Sequence, residues 1–317
     1  MCGGWSGAGI HRAFCLRWKG LRHVAAVRGK RGISIMGFVG NRIRVVSTYL
    51  YELWKHGMTP PVPLKKVGLS ASEPEVAEGD VIFVLDGVGG FQFAPLLVRR
   101  ALREIGEPIP TAMYRWQGGL VGEIWTDLMW HSRNRVMGAR LARRIRRFRR
   151  AHPDRKIHLL AYSGGAGVAV FACEYLKQPS IETMILACPA ISPTYNLARA
   201  LRHVTRAYAL TSVRDRFLLG IGTTLFGTTD RVNTPAAGMV GFRLPEDISE
   251  EDRLEYDKLR QICWEPSLRQ VKHHGGHTGW LMPDVLRSHL IHLLRGEPRL
   301  ATHEVQAVPV KAAPVGT

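Results

Sequence analysis

No stretch of about 18 apolar residues runs uninterrupted through this chain, so no helix of the length needed to cross a bilayer is expected. Acidic residues are missing from the first 35 positions, which carry Arg12, Arg17, Lys19, Arg22, Arg28, Lys30 and Arg31. That segment also lacks the long apolar core of a secretory signal, and it is expected to be a disordered basic arm. Cysteine is scarce: Cys2, Cys15, Cys173, Cys188 and Cys263 are an odd number, and no C-x-x-C pair occurs. Neither a disulfide framework nor a zinc site is suggested, and a reducing compartment fits best. Cys173, Cys188 and Cys263 lie in apolar stretches and are expected to be buried thiols. Acids are few overall: 26 against 44 Lys and Arg, for a net charge of +18. Such a field favours anionic partners and says nothing about fold.

What is present is ordinary for a large globular domain. The 317 residues are 45% hydrophobic and 22% charged, enough for a full core. Strand signals at 81–85, 111–116, 157–160, 183–187, 207–212 and 262–268 alternate with helical patterns at 95–105, 136–150, 168–176, 197–204, 250–259 and 285–294. This alternation predicts an α/β fold, a mostly parallel central sheet with helices on both faces. Residues 218–241, rich in Gly and Thr, are expected to be a long loop. Ile43, Val46, Leu50, Leu53 and Trp54 recur at helical spacing and predict an amphipathic helix. The domain is expected over 36–296, with a disordered Pro- and Ala-rich tail over 297–317.

The most informative segment is Ala161-Tyr162-Ser163-Gly164-Gly165-Ala166-Gly167, between a strand signal and a helix. A serine wedged among small residues in that context predicts a nucleophile elbow. The turn is sharp and strained, and bulky neighbours would collide with the strand or helix. The following helix aims free N–H groups and its positive dipole end at the same place. Ala161 stands where glycine is usual and keeps the residue small. A dinucleotide-binding turn is the rival reading, but the glycines do not spell G-x-G-x-x-G and no acidic residue ends a second strand at the right distance.

Three further segments follow in order: Asp86-Gly87-Val88-Gly89-Gly90 after the first strand, Val213-Arg214-Asp215 after the fifth, and Gly275-Gly276-His277-Thr278-Gly279 near the C-terminus. With the elbow, this order resembles the α/β-hydrolase superfamily of the lipase or esterase type, over about 81–294. The resemblance implies Ser163 as nucleophile, His277 as base and Asp215 as the acid that orients it. It implies backbone N–H donors to an oxyanion from Gly164 and from Val88 or Gly89. Many members carry His-Gly where this chain has Asp86-Gly87, so Asp86 is expected to point away from the site or to be neutralised. His273 and His274 compete with His277, and Asp230 and Asp284 with Asp215. An H-H-x-x-H metal site is disfavoured because no acid lies nearby, and neither a cofactor nor a metal is implied.

The expected activity is hydrolysis of a carboxylic ester, with a thioester or acyl transfer served by the same residues. The expected substrate is a small-molecule or lipid ester. The rival reading is a catalytically silent protein of this fold that binds an anionic partner. The connection over 191–206 is too short for a separate cap domain. A lid would come from 218–242, with Leu218, Leu219, Ile221, Leu225 and Phe226 lining an acyl pocket or packing under a loop. The 136–150 helix places Met137, Leu141, Ile145 and Phe148 on one face and arginines over the rest. Its Arg140 to Arg150 portion is expected to contact an anionic membrane rather than nucleic acid, since no aromatics are interleaved for base stacking. A cytoplasmic location, peripheral at the membrane, is the corresponding expectation.

Overall fold

A computed structural model describes residues 79–89, 92–107, 109–117, 127 and 130–307. The basic arm and the amphipathic helix expected around 43–54 lie outside the described residues. The strands are β1 (Val81–Leu85), β2 (Thr111–Tyr114), β3 (Ile157–Tyr162), β4 (Ile181–Ala187), β5 (Val204–Thr211), β6 (Arg243–Leu244), β7 (Leu259–Cys263) and β8 (Gln306–Ala307). Six form one sheet in the order β2-β1-β3-β4-β5-β7, and every pairing in it is parallel. β6 and β8 make a separate two-stranded pair.

The sheet's interior strands are buried on both faces. Every residue of β1 and of β3 is buried, which is why both read as near-continuous apolar runs without alternation. Helix α1 (Phe93–Glu104) packs with the helical turns Pro283–Val285 and Leu286–Leu290. Helix α2 (His131–Ala151) packs against α3 (Gly164–Glu174), which also meets α4 (Ala198–Leu201). The α2–α3 approach depends on Gly138, where a Cβ would lie 2.8 Å from that of Phe171. All eleven residues of α3 are buried. Its one acid, Glu174, is matched by Arg135 of α2 at 3.0 Å and by the Tyr195 hydroxyl at 2.6 Å.

The sheet order sets the position of the site. The chain leaves β1, forms β2 on one side, and returns to lay β3 on the other. The loops after β1 and β3 therefore diverge over adjacent strand ends, where a crevice opens in a parallel sheet. The register aligns Leu85 with Ala161, so the 86–89 loop and Ser163 emerge side by side.

Several elements differ from the sequence reading. α2 begins at His131, before the apolar pattern does, because Asn134 is buried and donates its side-chain amide to the Asp127 carbonyl at 2.7 Å. α3 starts directly at Gly164. β7 covers Leu259–Cys263, earlier than the apolar run at 262–268, because its register follows β5. Residues 218–241 are not one long loop. They continue a π-helical segment, Arg216–Gly222, into helical turns at Thr223–Phe226 and Ala237–Val240. Cys263 is exposed, whereas Cys173 and Cys188 are buried as expected. The expected tail is also paired in its first part: the N–H of Gln261 donates to the His303 carbonyl at 2.7 Å, and the reverse bond is 2.8 Å. Those bonds pair Gln261 on the edge of β7 that β5 leaves free.

Candidate active site

The strained turn is present at Ser163, whose φ of 53° and ψ of −124° are unusual for a residue with a side chain. Three backbone bonds over-determine it. The Ser163 N–H donates to the Ala187 carbonyl at 2.9 Å, and its own carbonyl accepts from Ala166 and Ala190, each at 3.1 Å. Small neighbours are required on every side. A Cβ on Gly165 would sit 2.4 Å from the Asp86 carbonyl oxygen, one on Gly164 2.8 Å from the Val88 side chain, and one on Gly167 2.5 Å from Thr229.

Ser163, Asp215 and His277 come together from three separate loops. His277 Nε2 lies 2.9 Å from Ser163 Oγ, and His277 Nδ1 lies 2.5 Å from Asp215 Oδ2. With the ring proton on Nδ1 and shared with the carboxylate, Nε2 is left as acceptor for the serine hydroxyl. Asp215 and Ser163 are buried, and the His277 side chain is 12% exposed, so the three groups are sheltered while the histidine keeps an outlet to solvent.

The histidine loop is held from below. Ser212 Oγ donates to the Gly275 carbonyl at 2.7 Å, the Cys188 thiol to the His277 carbonyl at 3.2 Å, and the Gly279 N–H to the Gly276 carbonyl at 2.9 Å. Gly275 has φ of +89° and lies against the Arg214 side chain, so a side chain would be excluded there twice over. The Tyr162 ring lies 5.0 Å from that of His277.

The rival residues have other tasks. His273 is fully buried beside Trp280, and burial pulls its pKa down to about 4. Its Nδ1 accepts the Gly275 N–H at 3.1 Å. His274 is exposed. Asp230 accepts from the Ser192 N–H and hydroxyl and from Thr228, and Asp284 pairs with Lys272 and Arg287. Among the described residues, ligand atoms of Cys188, Asp215 and His277 lie within 4.8 Å of one another. Burial, and then the Asp215 charge, push the Cys188 thiol well up, so it remains a protonated donor and a poor metal ligand.

Asp86 turns away from Ser163. Its carboxylate accepts the N–H groups of Phe93 at 2.8 Å and Ala94 at 3.1 Å. It thereby caps α1, whose first turn has no acid and no side-chain cap of its own. Burial pushes this carboxyl up, and the N–H groups pull it back toward ionisation. The loop beyond it is fixed by residues the motifs did not announce. Trp116 Nε1 donates to the Asp86 carbonyl at 2.8 Å, and Gln117 Nε2 to the Gly87 carbonyl at 2.6 Å. The Gly89 N–H is taken by Asp127 at 3.1 Å, and Arg133 steadies that carboxylate at 3.1 Å. The Gly89 N–H is therefore occupied, whereas that of Val88 has no backbone partner among the described residues.

The expected acyl-pocket wall is largely turned outward. Leu219 is buried, whereas Leu218, Ile221 and Leu225 are 41%, 52% and 61% exposed. They recur at helical spacing along the segment that follows Asp215.

No protein-family model matches the chain, and no curated protein matches it. Among solved structures, it is similar to MenH from S. aureus, at 13% identity and a TM-score of 0.34, covering 71% of this chain and 97% of that one. A lipase-esterase related protein from Clostridium acetobutylicum is 11% identical, with a TM-score of 0.33, covering 67% and 90%. A hydrolase from Oleispira antarctica is 10% identical, with a TM-score of 0.31, covering 69% and 92%. These likenesses are remote. The chain's own sheet order and strand-to-helix turn define an α/β-hydrolase-like fold.

Proposed function

We propose that the protein is a serine hydrolase that cleaves a carboxylic ester through an acyl-enzyme. The observation that supports this most is the pair of contacts on His277, 2.9 Å to Ser163 Oγ and 2.5 Å to Asp215. A serine hydroxyl is a weak nucleophile at neutral pH and needs a positioned base. In this reading Ser163 Oγ attacks the ester carbonyl carbon while its proton passes to His277 Nε2. Asp215 keeps the imidazole in the correct tautomer and stabilises its cation without taking the proton. The carbonyl oxygen becomes an oxyanion, which accepts hydrogen bonds from the N–H groups of Val88 and Gly164. Collapse of the tetrahedral species breaks the bond to the alcohol, which leaves with the proton from His277. Water then enters by the same route and releases the acid. An acceptor alcohol or thiol in place of water would give acyl transfer with the same residues.

The test is labelling with a fluorophosphonate, which reacts readily only with an activated serine. Wild type should label, and Ser163→Ala and His277→Ala should not. A folded wild-type protein that resists the probe and hydrolyses no short-chain p-nitrophenyl ester would reject the proposal in favour of a catalytically silent protein.

A further inference from the structure

Eight of the nine arginines of α2, all but the half-buried Arg144, separate into two sets. Arg133, Arg135, Arg146 and Arg149 are built into the fold. Arg133 holds Asp127 and the Trp116 carbonyl, and Arg135 holds Glu174. Arg146 donates to the Tyr175 carbonyl, and Arg149 to the carbonyls of Pro153, Arg155 and Ser180. Arg140, Arg143, Arg147 and Arg150 are all exposed and have no acidic partner among the described residues. Their spacings of three, four and three place them in one row along the side of the helix facing away from α3. At a rise of about 1.5 Å per residue the row is roughly 15 Å long.

The whole of α2 contains no acidic residue. Like charges three and four apart destabilise a helix. The helix is held instead by its buried Leu141, Ala142 and Ile145 and by the close approach at Gly138. The row therefore opposes helix stability, and its contact within the fold is slight: Arg140 reaches the Met137 sulfur at 3.7 Å, and no acid is paired with any of the four among the described residues. Arginine guanidinium is matched to phosphate oxygens.

We infer that the Arg140, Arg143, Arg147 and Arg150 row docks the protein on the phosphates of an anionic membrane surface. A membrane fits better than nucleic acid. The exposed position continuing the row is Val136, 50% exposed, with no aromatic or amide side chain placed among the four arginines to stack on or read a base. The inference does not depend on the chemistry at Ser163.

The test is cosedimentation of the full chain with vesicles of phosphatidylcholine alone or with phosphatidylserine added. Wild type, R140Q/R143Q/R147Q/R150Q and a control replacing Arg12, Arg17, Lys19 and Arg22 with glutamine are compared. Wild type should bind only the anionic vesicles, and raised salt should release it. With each arginine near the surface contributing, the row variant should bind on the order of a hundredfold more weakly, and the control far less so. Circular dichroism should be unchanged, since the four side chains are exposed. Equal binding to neutral vesicles, no binding to either, or anionic binding that survives in the row variant would overturn the inference. So would row-dependent binding to a DNA duplex with none to vesicles.

Discussion

The elbow and the 86–89 loop are pressed together at Gly165, and one methyl group there should separate them. The Cβ of Gly165→Ala would lie 2.4 Å from the Asp86 carbonyl oxygen and 3.1 Å from the Leu85 Cβ. Ordinary contact requires about 3.4 Å, so the gap must open by about 1 Å. Neither side yields easily. The Asp86 carbonyl is held by the fully buried Trp116 at 2.8 Å, and the Ser163 backbone by Ala187 and Ala190. Overpacking of this kind costs about 1–3 kcal/mol. The Val88 N–H would be carried away from that of Gly164. Loss of one oxyanion donor reduces turnover about 10²–10³-fold, and a 1 Å misplacement about 10²-fold. We therefore expect Gly165→Ala to lower the second-order rate of fluorophosphonate labelling by about 10²-fold, with a loss of roughly 1–3 kcal/mol in urea unfolding. Gly276→Ala, whose Cβ meets nothing within 4 Å, is the contrast and should leave stability nearly unchanged. A folded Gly165→Ala protein that labels within about threefold of wild type would refute the claim that this contact sets the donor geometry.

Two other predictions follow from buried groups. Asp127 is 1% exposed and holds both Gly89 and Arg133. Asp127→Ala should lower kcat by about 10–100-fold with little change in KM and cost about 2–4 kcal/mol. Asp127→Asn keeps an acceptor for Gly89 and should recover most of the rate, and equal rates in both variants would show that Asp127 does not position the loop. For His273, burial lowers the folded-state pKa from 6.5 to about 4. Between those values the unfolded chain binds a proton that the folded protein refuses, so stability is full above the higher value and falls as pH drops toward the lower. The total is about 3 kcal/mol. Urea midpoints at pH 7.5 and 4.5 should converge in His273→Gln relative to wild type, and an unchanged pH dependence would assign the acid sensitivity elsewhere.

Much of this arrangement was legible in the chain because it is written in local chemistry. The parallel sheet was visible because β1 and β3 are buried on both sides, and full burial leaves an uninterrupted apolar run. The elbow was visible because its sterics exclude all but small residues around Ser163. The order of Asp86, Ser163, Asp215 and His277 was visible because each lies just beyond a strand or within a glycine-rich loop. Boundaries were less legible: α2 starts at His131 because a buried Asn134 finds the Asp127 carbonyl, and no periodicity encodes that bond.

Tertiary structure alone decided the finer assignments. His273 and His277 stand four residues apart in similar company, and only packing buries one against Trp280 and turns the other toward Ser163. Asp86 became a helix cap because the start of α1 lies within reach of its carboxylate. The Gly89 N–H is occupied because Asp127 reaches it from 38 residues away. The arginines of α2 look alike in a list, and only their neighbours separate those that hold the fold from the row that faces solvent. Local sequence specifies which conformations a segment can adopt and what chemistry its side chains can perform. Which partner each group meets depends on distances between segments remote in the chain, and those exist only once the sheet has assembled.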